Sequence, residues 1–276
     1  MASLGYVRRM RLLLAAALLL TPLPAYAAAT PWQDVAPGTR LRLISSDVRQ
    51  PDGTTLVGIE LDIPNTYKTY WRLPGESGIP TEFDIAGSAG VASPAIEWPF
   101  PTPEVSDGYL DYVYHGATVL PVAIKTTGDA PVLKANVTMG VCSDFCVPVR
   151  ASFSLPLSFA AADAGQSIRL KQAEALAPIP WKGQGEPFGG LSYDNAAHTL
   201  HIELADPAID PASVIVSTPD PTIIFDAPQK SPDGHSILLP MRDTKLGSDW
   251  AKVPVQLTFM TAMGSFEVSE PVALRP

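Results

Sequence analysis

Cys142 and Cys146 are the two cysteines of a 276-residue chain, set in Met139-Gly140-Val141-Cys142-Ser143-Asp144-Phe145-Cys146-Val147-Pro148-Val149. Sulfur at this spacing can form an inert bridge, cycle between dithiol and disulfide, or bind a metal. On one extended strand, residues four apart are about 13 Å apart at ~3.3 Å per residue, whereas a disulfide needs Cα atoms ~5.5 Å apart. A helix brings such residues closer, but Gly140, the valines at 141, 147 and 149, and Pro148 oppose helix. A hairpin meets the requirement. Residues 143–145 become a three-residue loop, and Cys142 faces Cys146 across it. Pro148 has no ladder N–H, so the second strand is an edge, where a partner's sulfur could approach.

As a staple the pair is weakly placed. Closing so small a ring removes about 2 kcal/mol from the unfolded chain, against ~4.7 for a hundred-residue loop. A domain of this size has no need of a lone bridge, while a structural zinc needs four ligands. A redox couple is the leading reading, with an inert bridge and a metal site behind it. Asp144 between the thiols disfavours thiolate, so exchange would depend on a docked partner supplying the attacking sulfur.

Other chemistry-bearing residues are weaker signals. His198 and His201 are three apart in a strand-like run, which sends them to opposite faces. Met139 beside two thiols could suit copper(I), though a core methionine is the simpler reading. His115 reads as a turn residue before Gly116. Tyr67, Tyr70 and Trp71 could line a sugar-binding face or pack a core. Asp210, Asp220, Asp226 and Asp233 lack calcium-loop spacing and read as turn residues. No nucleophile elbow, phosphate loop or HExxH helix occurs. No cofactor is expected.

The elements that must hold the cysteines are β-strands. The 29 prolines, near twice the usual ~5%, almost exclude an all-helical fold. Short alternating runs at 41–44, 55–63, 119–124, 132–139, 151–157, 199–204, 214–217, 236–239 and 255–259, broken by Pro, Gly, Asn and Asp, predict antiparallel sandwiches. Residues 162–177 are rich in helix formers and free of proline, and predict one helix. Breakers at Pro178, Pro180, Gly183 and Gly185 follow. The organisation expected is a leader at 1–27, a β domain at 28–161, a helix and linker at 162–187, and a second, smaller β domain at 188–276.

The leader carries Arg8, Arg9 and Arg11, an apolar run at 12–20, and the small-residue end Ala25-Tyr26-Ala27, the pattern of a cleaved secretory signal. Nine apolar residues fall short of the ~20 of a spanning helix, so the mature chain is expected to be soluble, outside the cytoplasm and not inserted in a membrane. Its removal leaves 16 basic against 28 acidic side chains, a balance of −12. So acidic a chain lacks the basic footprint of nucleic-acid binding.

The hairpin Gly140-Val141-Cys142-Ser143-Asp144-Phe145-Cys146-Val147-Pro148 resembles the cysteine segment of the N-terminal periplasmic domain of the DsbD thiol:disulfide interchange family, and more closely its ScsB-like branch, linked to copper tolerance. Tyr70-Trp71-Arg72-Leu73-Pro74-Gly75-Glu76-Ser77-Gly78-Ile79-Pro80, Trp98-Pro99 and residues 112–122 fit the same pattern. The resemblance spans 41–157, and 188–276 is more weakly similar to the second β region of ScsB-like ectodomains. It implies an immunoglobulin-like β-sandwich followed by a second sandwich. It also implies a thiol-disulfide oxidoreductase component in which Cys142 and Cys146 take electrons from a membrane thiol carrier and pass them to periplasmic thioredoxin-like proteins. The family's aromatic cap loop corresponds to about 99–114, making Phe100, Tyr109, Tyr112 and Tyr114, with Phe145 of the hairpin, the cap or partner-binding candidates. The family's adjacent Phe-Tyr pair is absent there, Asp107-Gly108 standing near its place. Full-length members continue into a membrane domain and a thioredoxin domain that this sequence lacks, so a separate membrane protein is expected to reduce it. The alternative is a non-catalytic exported module that binds copper or a partner protein, its disulfide merely pinning an edge hairpin.

Overall fold

The computed structural model describes residues 28–143, 145–183, 185–231, 234–243 and 249–275; the leader, Asp144 and Asp233 lie outside them. The first half is built from β1 (Gln33–Ala36), β2 (Thr39–Arg49), β3 (Thr54–Asp62), β4 (Lys68–Gly75), β5 (Glu82–Asp84), β6 (Val91–Ile96), β7 (Thr102–Ser106), β8 (Tyr109–His115), β9 (Thr118–Thr126), β10 (Val132–Cys142) and β11 (Cys146–Pro156). One sheet runs β1-β2-β3-β9-β6. The other runs β11-β10-β4-β8-β7, with β5 on β10. Every pairing in both sheets is antiparallel.

Alternation places the core. Along β10, Leu133, Ala135, Val137, Met139 and Val141 face inward, and they meet Leu41, Leu43, Val57, Ile59 and Val122 of the facing sheet. Full burial of each such side chain contributes roughly 1.5–3 kcal/mol. Trp71, fully buried, packs edge-on against Tyr112 with centroids 5.9 Å apart. An open sugar-binding face is therefore absent at Tyr70 and Trp71, because both rings are enclosed.

The predicted helix forms as α1 (Ala164–Glu174). Asp163 caps it, its carboxylate accepting from the Gln166 N–H at 2.8 Å, and Pro178 follows its end. It lies against β2, β3 and β9, on the outside of the first sheet. Gly58 makes room for it: a Cβ there would stand 2.6 Å from Leu170 Cδ2. Glu60 pins it, accepting ion pairs from Arg169 of the helix and Arg42 of β2.

The second half holds β12 (Ile179–Pro180), β13 (Phe188–Asp194), β14 (Thr199–Leu204), β15 (Ile215–Ser217), β16 (Gln229–Lys230), β17 (Ser236–Pro240), β18 (Val255–Thr261), β19 (Gly264–Glu270) and β20 (Val272–Arg275). Two sheets, β12-β19-β18-β15 and β16-β17-β14-β13-β20, enclose a separate core that includes Leu200, Ile202, Phe225, Trp250, Leu257 and Phe259. The architecture is all-β, two sandwiches joined by one short helix. The halves touch: Ile215 packs into the first core, and Arg72 of β4 reaches Glu267 at 3.1 Å and Thr258 at 2.8 Å.

Residues 99–114, expected as a mobile cap, are mostly strand. They contain β7 and most of β8, paired from Thr102↔Val113 to Ser106↔Tyr109. The run Leu110, Tyr112, Tyr114 alternates with period two and buries one face, which makes it a strand rather than a loop.

Candidate functional site

Cys142 ends β10 and Cys146 begins β11, and the two are directly paired in register, their Cα atoms 4.1 Å apart and their sulfurs bonded. β11 is the sheet edge, with Gly140 opposite Pro148. The parity that turns Met139 and Val141 inward turns Gly140 and Cys142 to the outer face, away from the sandwich core. The sulfurs are unequal in access. Cys142 is 1% exposed, whereas Cys146 is open to solvent beside Phe145, which is 83% exposed, and the exposed Val147.

Tyr70 meets both sulfurs. Its hydroxyl lies 2.7 Å from Cys142 Sγ and 3.1 Å from Cys146 Sγ. The ring is fully buried and forms a small cluster with Cys142 and Val113. Residues 76–80, between β4 and β5, cover it. A Cβ on Gly78 would sit 2.5 Å from Tyr70 Cδ1, and one on Gly140 would meet Ile79 Cβ at 2.8 Å.

A polar network backs this cover. Asp111, 1% exposed, accepts from the Ser77 N–H at 3.0 Å, the Ser77 hydroxyl at 2.5 Å and Lys68 Nζ at 3.3 Å. Lys68 also donates to Glu104 at 2.7 Å, and the other oxygen of Glu104 meets His115 Nε2 at 2.8 Å. Burial pushes the Tyr70 phenol above its ordinary pKa, the Asp111 carboxylate adds to this, and a hydrogen bond with Ser77 and the Lys68 charge oppose it. Tyr70 is therefore a neutral donor at physiological pH. Burial works against the Lys68 ammonium, but its bonds to Glu104 and Asp111 outweigh this and hold its pKa high. The hydrogen bond from Lys68, then that from His115, pull Glu104 below its ordinary value.

The expected cap residues fall in different places. Tyr112 and Tyr114 face the sandwich interior, where the Tyr114 hydroxyl donates to Pro99 O at 2.6 Å. Phe100 packs on the same core, and its N–H donates to Leu176 O. Tyr109 is exposed at the start of β8, on the face that carries the disulfide. Phe145 stands on the hairpin loop itself. Sequence reasoning picked out the stretch holding Tyr70, Ser77 and Gly78 but not their place against the sulfurs. Among the described residues no group of three His, Cys, Asp or Glu is arranged to hold a metal, and no helix is long and apolar enough to cross a membrane.

Residues 41–158 match the family described as thiol:disulfide interchange protein DsbD, N-terminal. The crystal structure of the N-terminal periplasmic domain of ScsB from Proteus mirabilis is similar over 90% of this chain and 99% of that one, with a TM-score of 0.67 and 21% identity. A titin immunoglobulin tandem aligns at 10% identity over 81% of this chain and 89% of that one, with a TM-score of 0.19, too low to relate the folds. No curated protein sequence matches. The cysteine hairpin with its tyrosine lies inside the residues that match the DsbD N-terminal family, and the first sandwich that carries them sits within a fold similar to that of the ScsB periplasmic domain.

Proposed function

We propose that this protein is a periplasmic thiol-disulfide relay, taking electrons from a membrane thiol carrier through Cys142 and Cys146 and passing them to thioredoxin-like proteins. The observation that carries this reading is the unequal exposure of two bonded sulfurs that share one buried tyrosine hydroxyl.

A carrier thiolate attacks Cys146 Sγ, the open sulfur. A bond forms between the carrier's sulfur and Cys146, the Cys142–Cys146 bond breaks, and Cys142 Sγ leaves with the electron pair. Tyr70, kept neutral by burial, donates its O–H to the departing sulfur, and solvent supplies the proton that completes the thiol. The carrier's second thiolate then attacks its own sulfur in the mixed disulfide and releases Cys146. The carrier is oxidised and the hairpin reduced by two electrons and two protons. Delivery is the reverse: Cys146 thiolate attacks a substrate disulfide, and Cys142 resolves the adduct. The exposed Phe145 and Val147 flank Cys146 where a partner would dock.

Trapping tests the order. With Cys142→Ala, the lone Cys146 thiolate should displace thionitrobenzoate from a thioredoxin-like protein whose single remaining active-site cysteine carries it as a mixed disulfide, leaving a stable protein–protein disulfide; with Cys146→Ala, the enclosed Cys142 should give little or none. Equal trapping by both would remove the asymmetry. Unchanged redox states of periplasmic thiol proteins in cells carrying the double cysteine variant would remove the relay.

A further inference from the structure

We infer that Arg242, in the second sandwich, is a positioning residue for the disulfide: it latches the segment that covers Tyr70, keeping Cys142 closed while Cys146 is presented. This deepens the relay reading and rests on it for its purpose, but not for its geometry.

The guanidinium is half-buried and makes three contacts. Its Nε pairs with Glu76 Oε2 at 2.6 Å, its Nη2 donates to Gly108 O, and its Nη1 pairs with Asp226 Oδ1 of its own domain at 3.1 Å. Glu76 opens the cover, and Gly108 lies in the β7–β8 turn beside it. The two are already joined, since the Glu76 N–H donates to Leu110 O at 3.0 Å and its carboxylate accepts from the Leu110 N–H at 2.8 Å. Ser77 continues the seam through its two bonds to Asp111. Next come Gly78, seated on the Tyr70 ring, and Ile79, seated on Gly140. One side chain of the second domain thus closes the end of a zipper that runs from the domain boundary to the sulfur-bearing strand.

The cover is short and is entered through a sharp bend at Gly75, the last residue of β4, which has a φ of +92°. A residue at Gly75 with a side chain would meet Leu110 O, so this sharp bend depends on glycine. A segment bent so tightly and fastened by charge-assisted bonds has a natural open state once its outermost tie is cut. A partner that displaced Arg242 from Glu76 would uncover Tyr70 and Cys142 without moving the sheet.

Alkylation of lone thiols in the full two-domain chain tests this without any redox partner, so its failure is separable from failure of the relay. In a Cys146→Ala background, iodoacetamide should label Cys142 about tenfold faster or more when Arg242→Met removes the charge-assisted contacts. In a Cys142→Ala background, Arg242→Met should leave labelling of Cys146 unchanged. Glu76→Gln should act on Cys142 in the same direction, the two substitutions should not add, and Arg242→Lys should restore part of the protection. An unchanged Cys142 rate would overturn the latch. An equal rise at both cysteines would also overturn it, assigning Arg242 to general stability.

Discussion

Tyr70 carries the chemistry that the cysteine spacing could not supply by itself. A phenol that touches both sulfurs of a disulfide stabilises whichever becomes the thiolate, and burial keeps it protonated for that work. Tyr70→Phe keeps the ring's packing and removes the hydrogen bond. A bond to a charged group contributes about 1.5–3 kcal/mol, so exchange at Cys146 should slow on the order of ten- to a hundredfold with little loss of stability. Stopped-flow reduction by a dithiol checks this, and an unchanged rate would exclude the hydroxyl from the reaction. Glu104 sets a pH limit. Its folded pKa is depressed below 4.5 by Lys68, so the folded state holds fewer protons there, and its contribution is present above 4.5 and lost as pH falls through the lower, folded value. Urea unfolding across pH 3–6 should show a smaller acid loss in Glu104→Gln than in the parent; parallel curves would contradict it. The cysteine pair was legible because spacing alone rules out one strand. Tyr70 was not, because it lies 72 residues from Cys142.

At the scale of elements, the hairpin of β10 and β11 and the segment 76–80 fit each other through missing side chains. Gly140→Ala puts a methyl against Ile79 and the Tyr70 ring. Overpacking of this kind costs about 1–3 kcal/mol. The variant should unfold at lower urea and, in a Cys146→Ala background that leaves Cys142 a free thiol, label faster at Cys142 as the cover lifts. A stable variant with a closed Cys142 would show that the cover yields without opening. The strand pattern itself was readable: the runs singled out at 41–44, 132–139 and 199–204 lie within β2, β10 and β14. The stretch 99–114, which the resemblance implies is the cap loop, is mostly paired strand. The spacing of Leu110, Tyr112 and Tyr114 held the signal, since three residues of one parity that all bury a face mark a strand, whatever their aromatic character.

Across the whole molecule, two arginines bind the sandwiches from opposite sides. Arg72 reaches from the first to Glu267 and Thr258, and Arg242 from the second to Glu76 and Gly108. Arg72 also lies over Trp71, 4.4 Å from the ring, so part of its contribution is packing. Arg72→Met retains an apolar stem and loses the ion pair. The contact is part-buried, and its removal should lower stability by about 1–2 kcal/mol and raise protease cleavage in the inter-domain segment. Urea titration with limited proteolysis measures both; no change in either would mean that Ile215 and the remaining contacts suffice.

From the sequence alone came the all-β class, the helix between the two sandwiches, and the hairpin that brings Cys142 to Cys146. Each follows from patterns a few residues long, which backbone geometry converts directly into structure. Which sulfur is closed, which hydroxyl attends it and which domain fastens its cover were decided by the tertiary fold. Those properties belong to Tyr70, Glu76, Asp111 and Arg242, residues far apart along the chain that become neighbours only when the sheets and sandwiches close on one another.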